Sequence, residues 1–290
     1  MTDAQKVSLS VILPVKNEAA NLARALASVE WADDIWVVDS QSTDQTVEIA
    51  RERGAQVAQF DFNGVWPKKK NWALENLPLK NEWVLLLDAD EVMPAASSEE
   101  IAAIVSDPQH PVDGYWINRR FCFMGKWMRH AYYPNWNLRL FRHRKGRFER
   151  LATGNTRSGD NEVHEHVLLD GSSGRLKAEM DHFPFPDVET FIEKHNRYSN
   201  WEAEVAYEQG HRRETRKSEE QINRKRRLKR WAARLPFRPF LRFLWVYIGQ
   251  RAILDGREGY YFARLHAIYE ALSVMKLYEL RKQRGRQGHG

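Results

Sequence analysis

The sequence predicts an α/β fold built on a mostly parallel sheet flanked by helices. Three observations carry that reading. Short apolar runs that read as buried strands recur through the first 90 residues. Segments of helical spacing alternate with them, which is the rhythm of strand–helix–strand units with parallel pairing. Polar and acidic residues then fall at the ends of these strands, the edge where open α/β sheets bind ligands.

Residues 9–15 (LSVILPV) form the first buried-strand run, and Lys16, Asn17 and Glu18 follow as a polar turn. Residues 21–29 have helical spacing, with Leu22, Leu26 and Val29 on one face. Residues 34–39 (DIWVVD) read as a second strand, and residues 40–44 supply hydroxyls and carboxylates suited to capping a helix. That helix spans 46–53 and is closed by Gly54, before a third strand over 55–60. A helix is expected over 70–77 and a fourth strand over 83–87. After Asp90 the rhythm changes: 115–148 is rich in aromatics and arginine, 154–174 is polar and glycine-punctuated, and 187–209 is again helical. From 212 to 230 the chain is densely charged, 231–280 mixes aromatics with arginine, and the tail 281–290 is expected to be disordered.

Composition narrows the class. At 42% hydrophobic and 12% aromatic, 290 residues can bury a substantial core. The single cysteine, Cys122, excludes an intrachain disulfide framework and a cysteine-rich zinc site, and fits a reducing compartment. No basic leader with a small-residue cleavage site precedes the first strand, so no signal peptide is expected. The net charge of +6 is unevenly placed: residues 211–290 hold 21 Lys/Arg against 7 Asp/Glu, whereas residues 1–210 are net acidic. The expected division is therefore a catalytic-type α/β domain over 1–210 and a basic, aromatic helical extension over 211–290.

The run Trp83–Glu91 (WVLLLDADE) carries the most chemistry. Side chains at i and i+2 of an extended segment point the same way, so Asp88 and Asp90 can face one site. Carboxylate oxygens are hard ligands suited to Mg2+ or Mn2+, which keep few protein ligands and take the rest from substrate phosphates. An acidic pair at a strand end is also common without a metal. Asp39, closing the second strand, can accept hydrogen bonds from a nucleobase or a ribose hydroxyl; a helix-capping loop explains the segment equally, and for Asp44 capping is the better account. Lys68, Lys69 and Lys70 can bring positive charge to a phosphate, with Lys69 taken as the donor contact, although a solvated basic turn accounts for at least two of the three. His182 can complete a metal shell or simply hydrogen-bond at a strand end. Trp136, Asn137 and Arg139 suit a sugar acceptor, because aromatics stack on sugar faces and arginine pairs with phosphate or carboxylate.

In their order and spacing, LSVILPVKNEAANL, VVDSQSTDQT and LLLDADE resemble the family-2 glycosyltransferases. GYWINRRFCFMGKWMRH, YYPNWNLRLFRHRKGRFE and VHEHV resemble a branch that adds a hexose to the inner core of bacterial lipopolysaccharide. The resemblance covers roughly the first 200 residues and implies the GT-A fold, a Rossmann-like sheet that binds a nucleotide-sugar donor. It implies that Pro14, Val15, Asn17 and Glu18 lie along the nucleotide, that Asp39 contacts the base, and that Asp90 binds the metal on the diphosphate. Asp88 would then hold the ribose or the metal's water shell. It also implies Glu165 as the general base, with Asp160 and Glu162 as competing carboxylates and His164 or His166 as orienting groups. The chain departs from the family where a second aspartate often follows the first: Ser40 stands there, with Gln41 in place of glycine.

Sugar transfer requires a diphosphate leaving group to be stabilised, which a divalent ion does. An inverting transfer also needs a base to take the acceptor proton. In the C-terminal part, Arg234, Arg238 and Arg242 recur every four residues among Trp, Phe and Leu, although Pro236 and Pro239 interrupt the run. With the cluster Arg224–Arg227 upstream, this suits an element on an anionic membrane interface. Nucleic acid is not expected, since no recognised motif accompanies the charge; helices that merely cover the sheet domain are the structural alternative. The function expected from these readings is a metal-dependent inverting hexosyltransferase using a UDP-linked donor and a lipid-anchored glycan acceptor, lipopolysaccharide core first. It would be cytoplasmic and peripheral on the inner face of the cytoplasmic membrane. Transfer to polyprenyl phosphate or another lipid-linked oligosaccharide is the runner-up, and a non-catalytic nucleotide- or nucleic-acid-binding protein is the alternative of another class.

Overall fold

The computed structural model describes residues 6–64, 66–150, 166–211 and 237–287. Its strands are β1 (Val7–Val15), β2 (Ala32–Asp39), β3 (Gln56–Gln59), β4 (Trp83–Leu86), β5 (Glu91–Val92) and β6 (Gly114–Phe123). They continue with β7 (Lys126–Met128), β8 (Trp136–Arg142), β9 (Gly146–Phe148), β10 (Val167–Leu169), β11 (Ser173–Arg175) and β12 (Met180–His182). The helices are α1 (Ala19–Ala27), α2 (Thr46–Glu52), α3 (Lys69–Asn76), α4 (Ala96–Val105), α5 (Val188–His211), α6 (Arg238–Leu244) and α7 (Gly256–Gln287).

Two compact units divide the chain. One takes the residues up to Cys122 and then Tyr133 to Pro184; the other takes Phe123–Tyr132 and the residues from Phe185 onward. The helix starting at Val188, which the sequence assigned to the first domain, thus groups with the later helices.

The first unit is an α/β sheet in the order β3-β2-β1-β4-β8-β6-β12-β5. Its first four strands are parallel, β8 runs antiparallel between β4 and β6, and β12 lies parallel to β6 and antiparallel to β5. Period-two alternation sorts the core into two layers. Leu9, Val11, Leu13 and Val15 of β1, with Trp83, Leu85 and Leu87, pack against Leu22 and Leu26 of α1, Ala50 of α2, and Ile101 and Ile104 of α4. Ile12, Val84 and Leu86 face the other way, onto Ala73 and Leu74 of α3 and Phe141 and Phe148. Helices cover both faces, as expected.

The second unit is helical. Its core stacks aromatic rings: His195 lies 3.7 Å from the Phe191 ring, and Phe262 meets His266 edge-on. The segment 129–131 is tied down by Asp255, whose carboxylate accepts the backbone N–H groups of Arg129 (2.9 Å), His130 (3.2 Å) and Ala131 (2.9 Å). Pro239, expected to interrupt a helix, sits in the first turn of α6, where its missing N–H costs nothing. The tail is ordered further than expected, since α7 continues to Gln287.

Candidate functional site

The loops that follow β1 and β2 are laced into one surface at the C-terminal edge of the parallel strands. The Asn17 N–H donates to Ser42 Oγ at 2.8 Å, the Thr43 N–H to Asn17 Oδ1 at 2.8 Å, and the Glu18 N–H to Thr46 Oγ1 at 2.8 Å. Asn17 and Gln41 take left-handed backbone at φ 54° and 57°, a conformation asparagine tolerates better than most residues. Lys69 is buried in α3, where its Nζ donates to the Val15 carbonyl at 2.7 Å. Sequence reasoning offered Lys69 to the donor phosphate and left at least two of the three lysines to solvent. Lys69 and Lys70 are in fact both buried, because each finds an internal oxygen partner.

Asp39 ends β2 and is almost wholly buried. Its carboxylate accepts the Ser42 N–H and Gln59 Nε2, each at 3.0 Å, and the Ser42 hydroxyl as well. It therefore organises its own loop. Asp44 caps as expected: it accepts from the Thr46 N–H (3.1 Å) and, across the loops, from the Ala19 N–H at the start of α1 (3.2 Å). Burial raises the Asp44 pKa, but the Thr46 hydroxyl and these amides outweigh it and leave the carboxyl below its ordinary value.

The acidic run lies differently from the sequence expectation. Strand β4 ends at Leu86, and Asp88 to Glu91 form a turn closed by the Glu91 N–H on the Asp88 carbonyl at 2.9 Å. The two aspartates are thus placed by a turn rather than by a pleat, and they have different neighbours. Asp88 meets Lys70 Nζ at 3.0 Å and Arg139 Nη2 at 2.5 Å. Burial opposes its charge, but Arg139 first and Lys70 second hold the carboxyl well below the usual range. Arg139 also reaches Glu91 at 2.6 Å, and Arg119 meets Glu91 at 3.0 Å. Glu91 is fully buried and accepts the Asp88 N–H at 2.9 Å. These residues form one charge-alternating chain beneath the turn: Lys70, Asp88, Arg139, Glu91, Arg119.

Arg139, expected in an acceptor cleft, is buried in that chain. Trp136 begins β8 half-buried, with the Arg175 guanidinium 4.7 Å from its ring centroid. Sequence reasoning gave Glu91 and Arg119 no role. The signal for Glu91 was its place beside Asp90 in DADE.

Asp90 points elsewhere. Its backbone carbonyl accepts the Phe183 N–H at 2.8 Å, and His182 Nε2 stands 3.6 Å from its Oδ1. The register explains the proximity: β12 and β5 are antiparallel, with His182 opposite Glu91. Two donors that share one small divalent ion, each at about 2.1 Å, are at most about 4.2 Å apart. The Asp90–His182 spacing of 3.6 Å falls within that limit. Among the described residues, no group of three or more His, Cys, Asp or Glu side chains forms a complete protein cage for a metal. Glu165, with Asp160, Glu162 and His164, lies outside the described residues.

A protein-family model for glycosyl transferase family 2 matches residues 10–168. An uncharacterized glycosyltransferase of Rickettsia prowazekii is 32% identical over 206 residues, covering 70% of this chain and 69% of its own. A lipopolysaccharide core biosynthesis glycosyltransferase of Rhizobium meliloti, LpsC, is 27% identical over 94% of this chain and 93% of its own. Among solved structures, a mannosyltransferase of Pyrobaculum calidifontis in complex with GDP-Man and Mn2+ aligns over 94% of this chain and 87% of that one. Its TM-score is 0.50 at 15% identity, a likeness of fold.

Proposed function

The chain belongs to glycosyl transferase family 2, and from that membership we propose that it is a metal-dependent inverting hexosyltransferase acting on a lipid-anchored glycan. The observation that carries the reading is the pairing of Asp90 with His182 at 3.6 Å, on the sheet edge that also bears Asp39 and the Val15–Glu18 turn. On this reading the nucleoside lies across the laced loops, over Asp39 and Asn17, with Pro14, Val15 and Glu18 the surface beneath. Asp90 and His182 would hold a divalent ion, Mg2+ or Mn2+, against the diphosphate. Such an ion, when bound, stabilises negative charge on the leaving group. Asp88, held by Lys70 and Arg139, fixes the turn on which Asp90 rides.

The acceptor oxygen attacks the anomeric carbon as the bond to diphosphate breaks, and the Glu165 carboxylate takes the acceptor proton. Attack opposite the leaving group inverts the configuration. The likeness to LpsC supports lipopolysaccharide core as the acceptor. We take the donor to be a UDP-linked hexose, Trp136 to meet the sugar, and the reaction to run at the inner face of the cytoplasmic membrane.

The test is a screen of nucleotide sugars for transfer or hydrolysis by the purified chain, with and without Mn2+. Asp90→Ala should lower metal-dependent turnover by about a thousandfold while the thermal melt is unchanged. Equal activity without any divalent ion overturns the assignment of Asp90. Glu165→Gln separates the acceptors. Full retention of activity would favour an already anionic polyprenyl phosphate, which needs no base.

A further inference from the structure

We propose that the corner formed by α6 and the turns leading into α7 is a docking face for an anionic lipid bilayer. The proposal rests on the lipid-anchored acceptor argued above and names the surface that would meet the lipid. Phe237 precedes α6, Phe240 and Leu241 lie on it, and Trp245 and Ile248 lie on the π-helical turn Trp245–Gly249 that continues it; together they make a stripe of large apolar side chains. In a water-soluble protein that stripe ordinarily faces the core. Here it faces outward: the five side chains are between 40% and 79% exposed, and Ile253 and Leu254 on the following turn are exposed as well.

The polar side of the same element turns inward. Arg238 pairs with Glu270 of α7, and Arg242 Nη2 donates to the Tyr132 hydroxyl at 2.6 Å. Of the three arginines that sequence spacing placed at the membrane interface, Arg238 and Arg242 are therefore committed within the protein, and Arg234 lies outside the described residues. Beneath them, Val246, Ala252 and Asp255 are buried, so the exposed residues ride on a fixed base. Large apolar side chains exposed together in this way mark an interaction surface.

Charge selects the occupant. No acidic residue occurs between Phe237 and Leu254, and the exposed cations Arg251 and Arg257 flank the apolar turn. Large apolar side chains edged by arginine match the boundary between acyl chains and anionic headgroups. No described helix is long and apolar enough to cross a membrane.

The experiment is sedimentation of the full chain with vesicles of phosphatidylcholine and phosphatidylglycerol, against vesicles of phosphatidylcholine alone. It needs no sugar transfer, so its outcome is independent of whether the enzymatic reading survives. The wild-type chain should sediment with the anionic vesicles and be partly released by salt. Trp245→Gln and Ile248→Ser should each lower the partition coefficient about tenfold, and Arg251→Gln about fivefold, with unchanged melting curves. The proposal is overturned if the wild-type chain stays in the supernatant, or if it binds neutral vesicles equally well. Variants that bind as the wild type does would also overturn it. A wild-type dimer that Trp245→Gln converts to monomer would mean that a second copy covers this face instead.

Discussion

Both units bury ionisable side chains, and the two sets of groups meet opposite fates. In the sheet unit, Asp88, Arg139, Glu91 and Arg119 alternate in sign along a chain of charge pairs. Arg139 illustrates the consequence: burial disfavours its charge, but Asp88 and then Glu91 raise its pKa above the ordinary value. In the helical unit, His195 and His266 are buried among Phe191, Phe262, Tyr132 and Tyr269. There burial dominates. It pushes His195 down to about 4, against the opposing pull of the Phe191 carbonyl and Glu202, and it holds His266 well below its usual value. Tyr269 is shifted upward for the same reason, burial first and Glu202 second. The difference teaches that burial alone does not decide ionisation. A partner within hydrogen-bond reach keeps the charge, and a shell of rings expels it.

The sharpest way to break this comparison is to remove one charge from the sheet unit. Arg139→Met leaves Asp88 with Lys70 alone and takes one of two cations from the fully buried Glu91. Truncating one partner of a buried pair costs about 3–5 kcal/mol, because the other charge is stranded. Urea unfolding should show that loss, and Glu91→Gln in the same chain should recover part of it. A cost below about 1 kcal/mol would mean that the chain of charges is solvated and not a buried unit.

The second effect is in the helical unit and depends on pH. The folded-state pKa of His195, about 4, lies below the ordinary value of 6.5, so the unfolded chain binds the proton first. Stability is therefore full above pH 6.5 and falls as pH drops toward 4, by about 3 kcal/mol from this group. His266 is shifted in the same direction and steepens the fall. Asp88, whose pKa is depressed, loses its contribution only at lower pH, as its own proton returns. His195→Phe, which keeps a ring on Phe191, should flatten the stability profile between pH 6.5 and 4. An unaltered slope there would show that His195 is reached by water.

The same distinction explains what could be read from the sequence. The parallel half of the sheet was legible because its strands are buried on both faces and appear as unbroken apolar runs, as in VILPV and WVLLL. The strands β6 and β8 were not, since GYWINRRFCF and WNLRLFR carry arginines that read as surface residues. Arg139 belongs to the core only because Glu91 lies 48 positions earlier in the chain, a separation that no local pattern reveals. The site shows the same split. Asp44 capping follows from local chemistry, whereas the Asp90–His182 proximity depends on the pairing of β5 with β12. The inward turn of Arg238 and Arg242 was not legible for a related reason: spacing identifies which residues share a face, but Glu270 and Tyr132 decide where that face turns.

The smallest effect probes Arg242, a cation beside the aromatic cluster. Arg242 shares with Arg139 and Arg119 a buried Nε without a hydrogen-bond partner, but its Nη2 relies on the Tyr132 hydroxyl. It is thus held by a neutral oxygen where Arg139 is held by two carboxylates. Burial raises the Tyr132 pKa, Arg242 opposes that rise, and the hydroxyl stays protonated through the physiological range. Tyr132→Phe removes only this oxygen and keeps the ring stacked on His266. A hydrogen bond to a charged group contributes about 2 kcal/mol, less than the loss expected for Arg139→Met. Thermal unfolding that ranks Tyr132→Phe as the milder lesion supports the contrast between charge-paired and ring-lined burial. The reverse order would mean that the neutral oxygen anchors its arginine more firmly than the carboxylates do theirs.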